Sequence, residues 1–141
     1  MFNVDLIQQR MVSLEVRVNL FSEAEAGQQI DVGFRFSFNV NFAEDNKHCK
    51  AILEQEAISL QDPSKLKIRV TNEGLFETDE IKSDEMKKEV HIRCYQALFP
   101  YVQSQIAQMC ISAGLPPLLV PAQKMNPESI IIGRPTTEGQ G

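Results

Sequence analysis

Seven apolar residues alternate without a break between Ile30 and Phe42: Ile30, Val32, Phe34, Phe36, Phe38, Val40 and Phe42. Asp31, Gly33, Arg35, Ser37, Asn39 and Asn41 lie between them. Side chains on a strand point to alternate faces, so this stretch is a long β-strand with one apolar side and one wet side. Four of the eight phenylalanines of the chain are on that one face. An apolar sheet face has to be covered, either by a helix of the same chain or by another molecule.

A second alternation precedes it. Val12, Leu14, Val16, Val18 and Leu20 share one face, and Ser13, Glu15, Arg17 and Asn19 the other, the pattern of an antiparallel strand with one solvated side. The link Phe21–Gln29 is polar and too long for a two-residue hairpin, and is expected to cross over another strand. A turn at Ala43–Asn46 leads into a third strand from about His48 to Leu60. Cys49, Ala51 and Leu53 share a face there, whereas Ile58 and Leu60 have the opposite parity, so a bulge near Gln55 is expected. Asp62-Pro63-Ser64 reads as a turn, and Leu66, Ile68 and Val70 open a fourth strand.

The period then changes. Ser83-Asp84-Glu85 is a helix start, a capping hydroxyl followed by acids in the first turn. Val90, Cys94, Leu98, Val102, Ile106 and Cys110 step by four and form an apolar stripe, widened by Ala97, Tyr101, Met109 and Ala113. Gly114 stops the helix, and Pro116 and Pro117 prevent its return. Pro100, lying mid-pattern, is expected to kink or break the helix. Tyr95 and Phe99 are left over once the inner stripe is assigned, and predict an exposed apolar face and a dimer or tetramer. The expectation is an α+β fold: a four-stranded antiparallel sheet with a crossover connection, packed by a long C-terminal helix broken at Pro100. Residues 1–132 form one domain in this reading, and 133–141 a disordered tail.

The chain has 141 residues and a net charge of −5. General nucleic-acid binding needs a basic surface, and this balance argues against it. Three widely spaced cysteines, Cys49, Cys94 and Cys110, fit reduced thiols better than a disulfide scaffold. With no leader pattern and no apolar run of membrane-spanning length, the reading is a cytoplasmic protein that does not insert into membranes. Phosphate-binding loops and nucleophile elbows are missing, so neither an enzyme nor a cofactor is expected. His48, Cys49, His91 and Cys94 offer a two-His, two-Cys metal set, but without zinc-finger spacing, and the cysteines read as core. Glu77, Asp79, Glu80, Asp84 and Glu85, interspersed with Lys82, Lys87 and Lys88, read as a solvated surface.

Leu98-Phe99-Pro100-Tyr101, set within a helix and followed by Ile106, Met109, Leu115, Pro116 and Leu118, resembles the SecB family of bacterial export chaperones. Ser13-Leu14-Glu15, Ser59-Leu60, Val70, Gly74 and Phe76 fall at matching places, and the order strand, crossover, three strands, long helix agrees. The resemblance covers roughly residues 7 to 122. It extends to short Gram-positive SecB-fold proteins of unassigned function. It implies a homo-oligomer that binds unfolded preproteins in apolar grooves without ATP and passes them to the translocation motor SecA. Glu15, Leu60 and Asp62 match motor-contact positions, while Met11 stands where a further acidic residue belongs. The second helix of SecB has no counterpart around Asn126–Ile132.

These features together predict an ATP-independent chaperone for extended or unfolded polypeptides, in a protein-export setting. Phe21, Leu115, Pro116, Leu118, Leu119 and Val120 are the peptide-binding candidates, because prolines hold the latter segment extended. The alternative is a SecB-fold adaptor or regulatory oligomer with one fixed protein partner and no general chaperone activity.

Overall fold

A computed structural model describes residues 2–19, 31–127 and 130. Four strands, β1 (Val4–Val18), β2 (Val32–Phe42), β3 (His48–Ser59) and β4 (Leu66–Thr78), precede one helix, α1 (Asp84–Ser112). All strand pairs are antiparallel, in the order β1-β4-β3-β2. Strands β2, β3 and β4 form a meander. Strand β1 pairs with β4, so the chain passes from one sheet edge to the other between β1 and β2, the crossover expected from the length of that link. The link itself, with Leu20, Phe21 and Ile30, lies outside the described residues, as do 133–141.

The alternation of β2 holds throughout. Val32, Phe34, Phe36, Phe38, Val40 and Phe42 sit opposite Ser59, Ala57, Gln55, Leu53, Ala51 and Cys49 of β3, all on the face that carries α1. The bulge expected near Gln55 is not there: β3 is in unbroken register with both neighbours. Ile58 belongs to the opposite face, where it pairs with Gly33 and Lys67. The side chain of Leu60 leans over Gly33, so close that a Cβ there would meet Leu60 Cδ2 at 2.6 Å. The change of parity marks this small outer apolar cluster rather than an inserted residue.

The irregularities fall in β1 instead. Its register with β4 shifts between Leu6 and Gln8 and again between Met11 and Ser13. Each extra residue resets the phase, so Val4 and Leu6, then Gln9 and Met11, then Leu14, Val16 and Val18 face α1. The first half of β1 escapes a search for simple alternation for this reason.

Ser83 caps α1, its hydroxyl accepting from the Met86 amide at 3.2 Å. At the other end Gly114 takes φ 80°. Gly114 N–H bonds Ile111 O at 3.0 Å and Leu115 N–H bonds Cys110 O at 2.8 Å, the double closure that a left-handed residue permits. The helix does not break at Pro100. It runs as one element from Asp84 to Ser112, because Leu98, Phe99 and Val102 around the proline are all buried against the sheet and outweigh one missing donor.

The core lies between α1 and the two central strands. Ala51, Leu53, Ala57, Ile68, Val70 and Phe76 meet Val90, Cys94, Leu98, Val102, Ile106 and Cys110. Polar groups enter at one point. Asn72, fully buried, accepts from Gln9 Nε2 of β1 and from Gln105 Nε2 at 3.0 Å, and donates to Gln105 Oε1 at 2.5 Å. That amide knot ties β1, β4 and α1 together with its buried polar atoms paired. One residue pair along β4, Gly74 lets α1 come close: a Cβ there would meet Phe76 Cε1 at 2.8 Å, Leu98 Cδ2 at 2.9 Å and Leu6 Cδ1 at 3.1 Å. Gly74→Ala is expected to destabilise the fold by about 1–3 kcal/mol through overpacking, measured by chemical denaturation; an unchanged midpoint would contradict this packing.

Candidate polypeptide-binding surface

A helix is about 10 Å wide, whereas four strands spaced about 4.8 Å apart put their outer axes about 14 Å apart. Strands β3 and β4 are sealed under α1, but among the described residues neither β1 nor β2 contributes a fully buried apolar side chain. The sheet therefore has two apolar margins, and each is treated differently.

On the β2 margin, aromatic rings extend the core outward. Tyr95 of α1 packs tilted against Phe36 at a centroid distance of 5.7 Å and against Phe99 at 5.6 Å, and edge-on to Phe38 at 5.5 Å. Tyr95 and Phe99 are buried, which corrects the expectation that they form an exposed face of the helix; β2 and the segment beyond α1 cover them. That segment, Leu115 onward, is extended and runs back beside the helix. Gln103 Nε2 donates to Val120 O at 3.0 Å, and the Gln123 amide donates to the Tyr95 hydroxyl oxygen at 3.0 Å.

The peptide-binding candidates thus divide. Val120 is buried, and Leu115 and Leu118 pack partly against the core; all three anchor the segment. Pro116 is exposed and Leu119 is 78% exposed. Phe21 lies outside the described residues. The structure adds Phe36, 39% exposed on the edge strand, which becomes distinctive only once Tyr95 is placed beneath it. An aromatic floor, an extended proline-held wall and a strand edge unpaired among the described residues converge here.

The β1 margin is open. Beyond the Gln9–Asn72–Gln105 knot, Met11, Leu14 and Val16 face the helix side yet remain 41–43% exposed, along a sheet edge with no partner strand among the described residues.

The opposite face of the sheet is wet and laced with ion pairs. Glu73 holds Arg10 at 2.9 Å and Lys50 at 3.0 Å; Arg35 holds Glu56 at 2.8 Å. The motor-contact candidates lie on or near this face. Glu15 is surrounded by Arg69 at 2.9 Å, Arg17 at 3.2 Å and Lys67 at 3.7 Å, so its charge is answered within the fold. Leu60 is 63% exposed. Asp62 shapes the turn, accepting from the Ser64 hydroxyl at 2.7 Å and the Ser64 amide at 3.0 Å, which holds its carboxyl below the ordinary range. Met11 faces the helix side, opposite to Glu15.

The two histidines do not converge on the cysteines. His48 is on the outer face, with Nδ1 2.6 Å from Asp45 Oδ2 and Nε2 3.5 Å from Glu77 Oε2. His91 sits on α1 with its ring edge-on to Phe38 at 4.9 Å. No group of three or more metal-ligating side chains forms among the described residues. The hydrogen bond to Asp45 raises the His48 pKa above 6.5, whereas burial lowers that of His91. The stabilisation from His48 is therefore complete below about pH 6.5 and is lost as pH rises through its raised value. Protonating His91 costs stability as pH falls below about 6.5. Proton NMR should show the two rings titrating on opposite sides of that value, with Asp45→Asn lowering only His48; coincident titration would contradict both environments.

No helix among the described residues is long and apolar enough to cross a membrane. The family model described as preprotein translocase subunit SecB matches residues 2–126. The protein-export protein SecB of Thiobacillus denitrificans (strain ATCC 25259 / T1) is 24% identical over 141 residues, 99% of this chain and 90% of that one. The Mycobacterium tuberculosis SecB-like chaperone, solved with a ChAD peptide from the HigA1 antitoxin, shares the fold with a TM-score of 0.66 at 14% identity, over 86% of this chain and 88% of that one. The strand order, the single long helix through Leu98-Phe99-Pro100-Tyr101 and a family match from the first described residue to the end of the returning segment have one meaning: this chain belongs to the SecB family.

Proposed function

We propose that the protein is an ATP-independent chaperone that holds extended, unfolded polypeptides along the β2 margin. The observation that carries this reading is the aromatic floor of Phe36, Tyr95 and Phe99 beside the extended Leu115–Val120 segment. An unfolded client brings apolar side chains at alternate positions and unpaired backbone groups. Phe36 and Leu119 offer apolar contact, worth about 25 cal/mol per Å² covered before ordering costs, and the edge of β2, unpaired among the described residues, offers backbone partners. Neither contribution depends on the identity of the client, and neither needs a nucleotide. The net charge of −5 favours basic clients at modest salt.

The β1 margin is assigned to self-association. Met11, Leu14 and Val16 form a contiguous apolar strip on an edge strand, and a two-fold axis beside it brings the same strip from a second copy into contact. Family membership supports the same assembly. Light scattering should give a mass of at least two chains, and the double substitution Leu14→Asp with Val16→Asp should shift it to one; a wild-type monomer at micromolar concentration would overturn this assignment.

A fixed-partner adaptor is the second reading. Two observations favour it: the cations around Glu15 leave little acidic surface for a motor, and a fold neighbour was solved with a peptide from one antitoxin. Breadth of clients separates the two readings. Wild-type protein should suppress aggregation of several unrelated denatured proteins, and Leu119→Ser with Phe36→Ser should weaken this at least several-fold with the oligomer intact. Suppression confined to one partner would favour the adaptor. By contrast, Leu118→Ser should lower stability by about 2 kcal/mol, because it removes an anchor rather than a contact surface; thermal melts separate these outcomes.

A further inference from the structure

Cys49 of β3 and Cys94 of α1 lie 45 positions apart in sequence, yet their sulfurs are 3.9 Å apart across the helix–sheet interface. Both are free thiols and both are buried. The third cysteine is excluded from this pair, since Cys110 lies sixteen residues, about 24 Å of helix, beyond Cys94. We propose that Cys49 and Cys94 form a dithiol that a low-molecular-weight disulfide, such as oxidised glutathione, converts to an intramolecular disulfide that fastens α1 to the sheet.

The sulfurs must close by about 1.9 Å to reach bonding distance, which rotation of two side chains and a small approach of the helix supply. Two features set the order of events. Cys49 keeps 4% of its surface exposed and Cys94 none, which makes Cys49 the more accessible of the pair. The contact between the two sulfurs holds the Cys49 pKa below the ordinary value, while that contact and burial push Cys94 up. The Cys49 thiolate therefore attacks a glutathione sulfur, breaking the S–S bond and releasing one glutathione thiolate. Cys94 then attacks the Cys49 sulfur of the mixed disulfide and expels the second. The two protons leave with the two glutathiones, so one disulfide is reduced as one forms.

The cross-link joins the first half of α1 to β3, and so lies away from the exposed residues Leu119, Met11, Leu14 and Val16. It raises resistance to unfolding without occupying either margin.

The full-length protein is incubated overnight with excess oxidised glutathione, about 10 °C below its thermal midpoint so that slow access does not limit reaction. It is then denatured, alkylated and mapped by mass spectrometry. One alkylated thiol, Cys110, and a Cys49–Cys94 cross-linked peptide are expected, with a melting midpoint raised by about 5–10 °C and restored by dithiothreitol. Cys110→Ala should form the same cross-link, and Cys94→Ala should retain glutathione on Cys49. Three alkylated thiols, a persistent glutathione adduct on the wild-type chain, a disulfide that includes Cys110, or a cross-link that leaves the midpoint unchanged would each overturn the proposal.

Discussion

The one helix among the described residues cannot cover four strands, and most of this molecule follows from that mismatch. The buried apolar core draws on β3, β4 and α1, the width that one helix spans. Strands β1 and β2 nevertheless carry long apolar faces on the same side. Leaving such strips in water costs free energy in proportion to area, so each margin needs a cover. Along β2, the chain supplies part of one by turning back after Gly114. Along β1, it supplies none among the described residues beyond the Gln9–Asn72–Gln105 knot. The two margins differ in kind: one is lined by aromatic rings and the returning segment, the other by aliphatic side chains along an edge strand interrupted by two register shifts.

The position of α1 across the sheet is set by two neighbouring pairs on β4. Gly74 admits Leu98 to within contact of the backbone, and Asn72 fixes the helix through Gln105 while reaching Gln9 on β1. Apolar packing alone tolerates sliding of a helix along a sheet, whereas a buried amide left without its partner costs about 1–3 kcal/mol. The knot therefore sets a register. It also marks where a gap in the cover opens on β1, since Leu6 before it packs against the core, Leu14 and Val16 after it do not, and Val18 packs against the core again.

Much of this fold was legible in the residue pattern. The strict alternation of β2, the Pro63 turn, the Ser83 cap and the Gly114 stop each have one local physical solution, and the structure adopts it. Misreadings arose where tertiary contacts decide. Two inserted residues hid the first half of β1 from a period-two search. The parity of Ile58 and Leu60 suggested a bulge because a small apolar cluster on the wet face has no local signature. Pro100 suggested a break because propensity sees the missing hydrogen bond and not the buried Leu98, Phe99 and Val102 beside it. Tyr95 and Phe99 looked surplus because the helix stripe does not reveal that the chain returns past them; the amide of Gln123 on the Tyr95 hydroxyl is invisible in sequence. The apolar Leu115–Val120 run could be identified as extended, but which of its side chains anchor and which are presented depends on the face turned to α1.

The same division separates recognition from charge. On the outer face, carboxylates such as Glu15 and Glu73 are paired with cations from neighbouring strands, so an incoming charged partner must compete with bonds already made. Exposed pairs of that sort contribute little net affinity. The inner margins present the opposite situation: exposed apolar groups, Met11, Leu14 and Val16 on β1 and Phe36 on β2. Because β2 is held in register along its whole length by β3, Phe36 is presented without the ordering cost that a flexible loop would carry. A preorganised apolar strip of this type discriminates poorly between sequences and well between extended and folded chains, since only an extended chain exposes alternate side chains and a backbone edge at once. Under the proposed chaperone role, that selectivity for state over sequence follows from the mismatch between the one described helix and four strands.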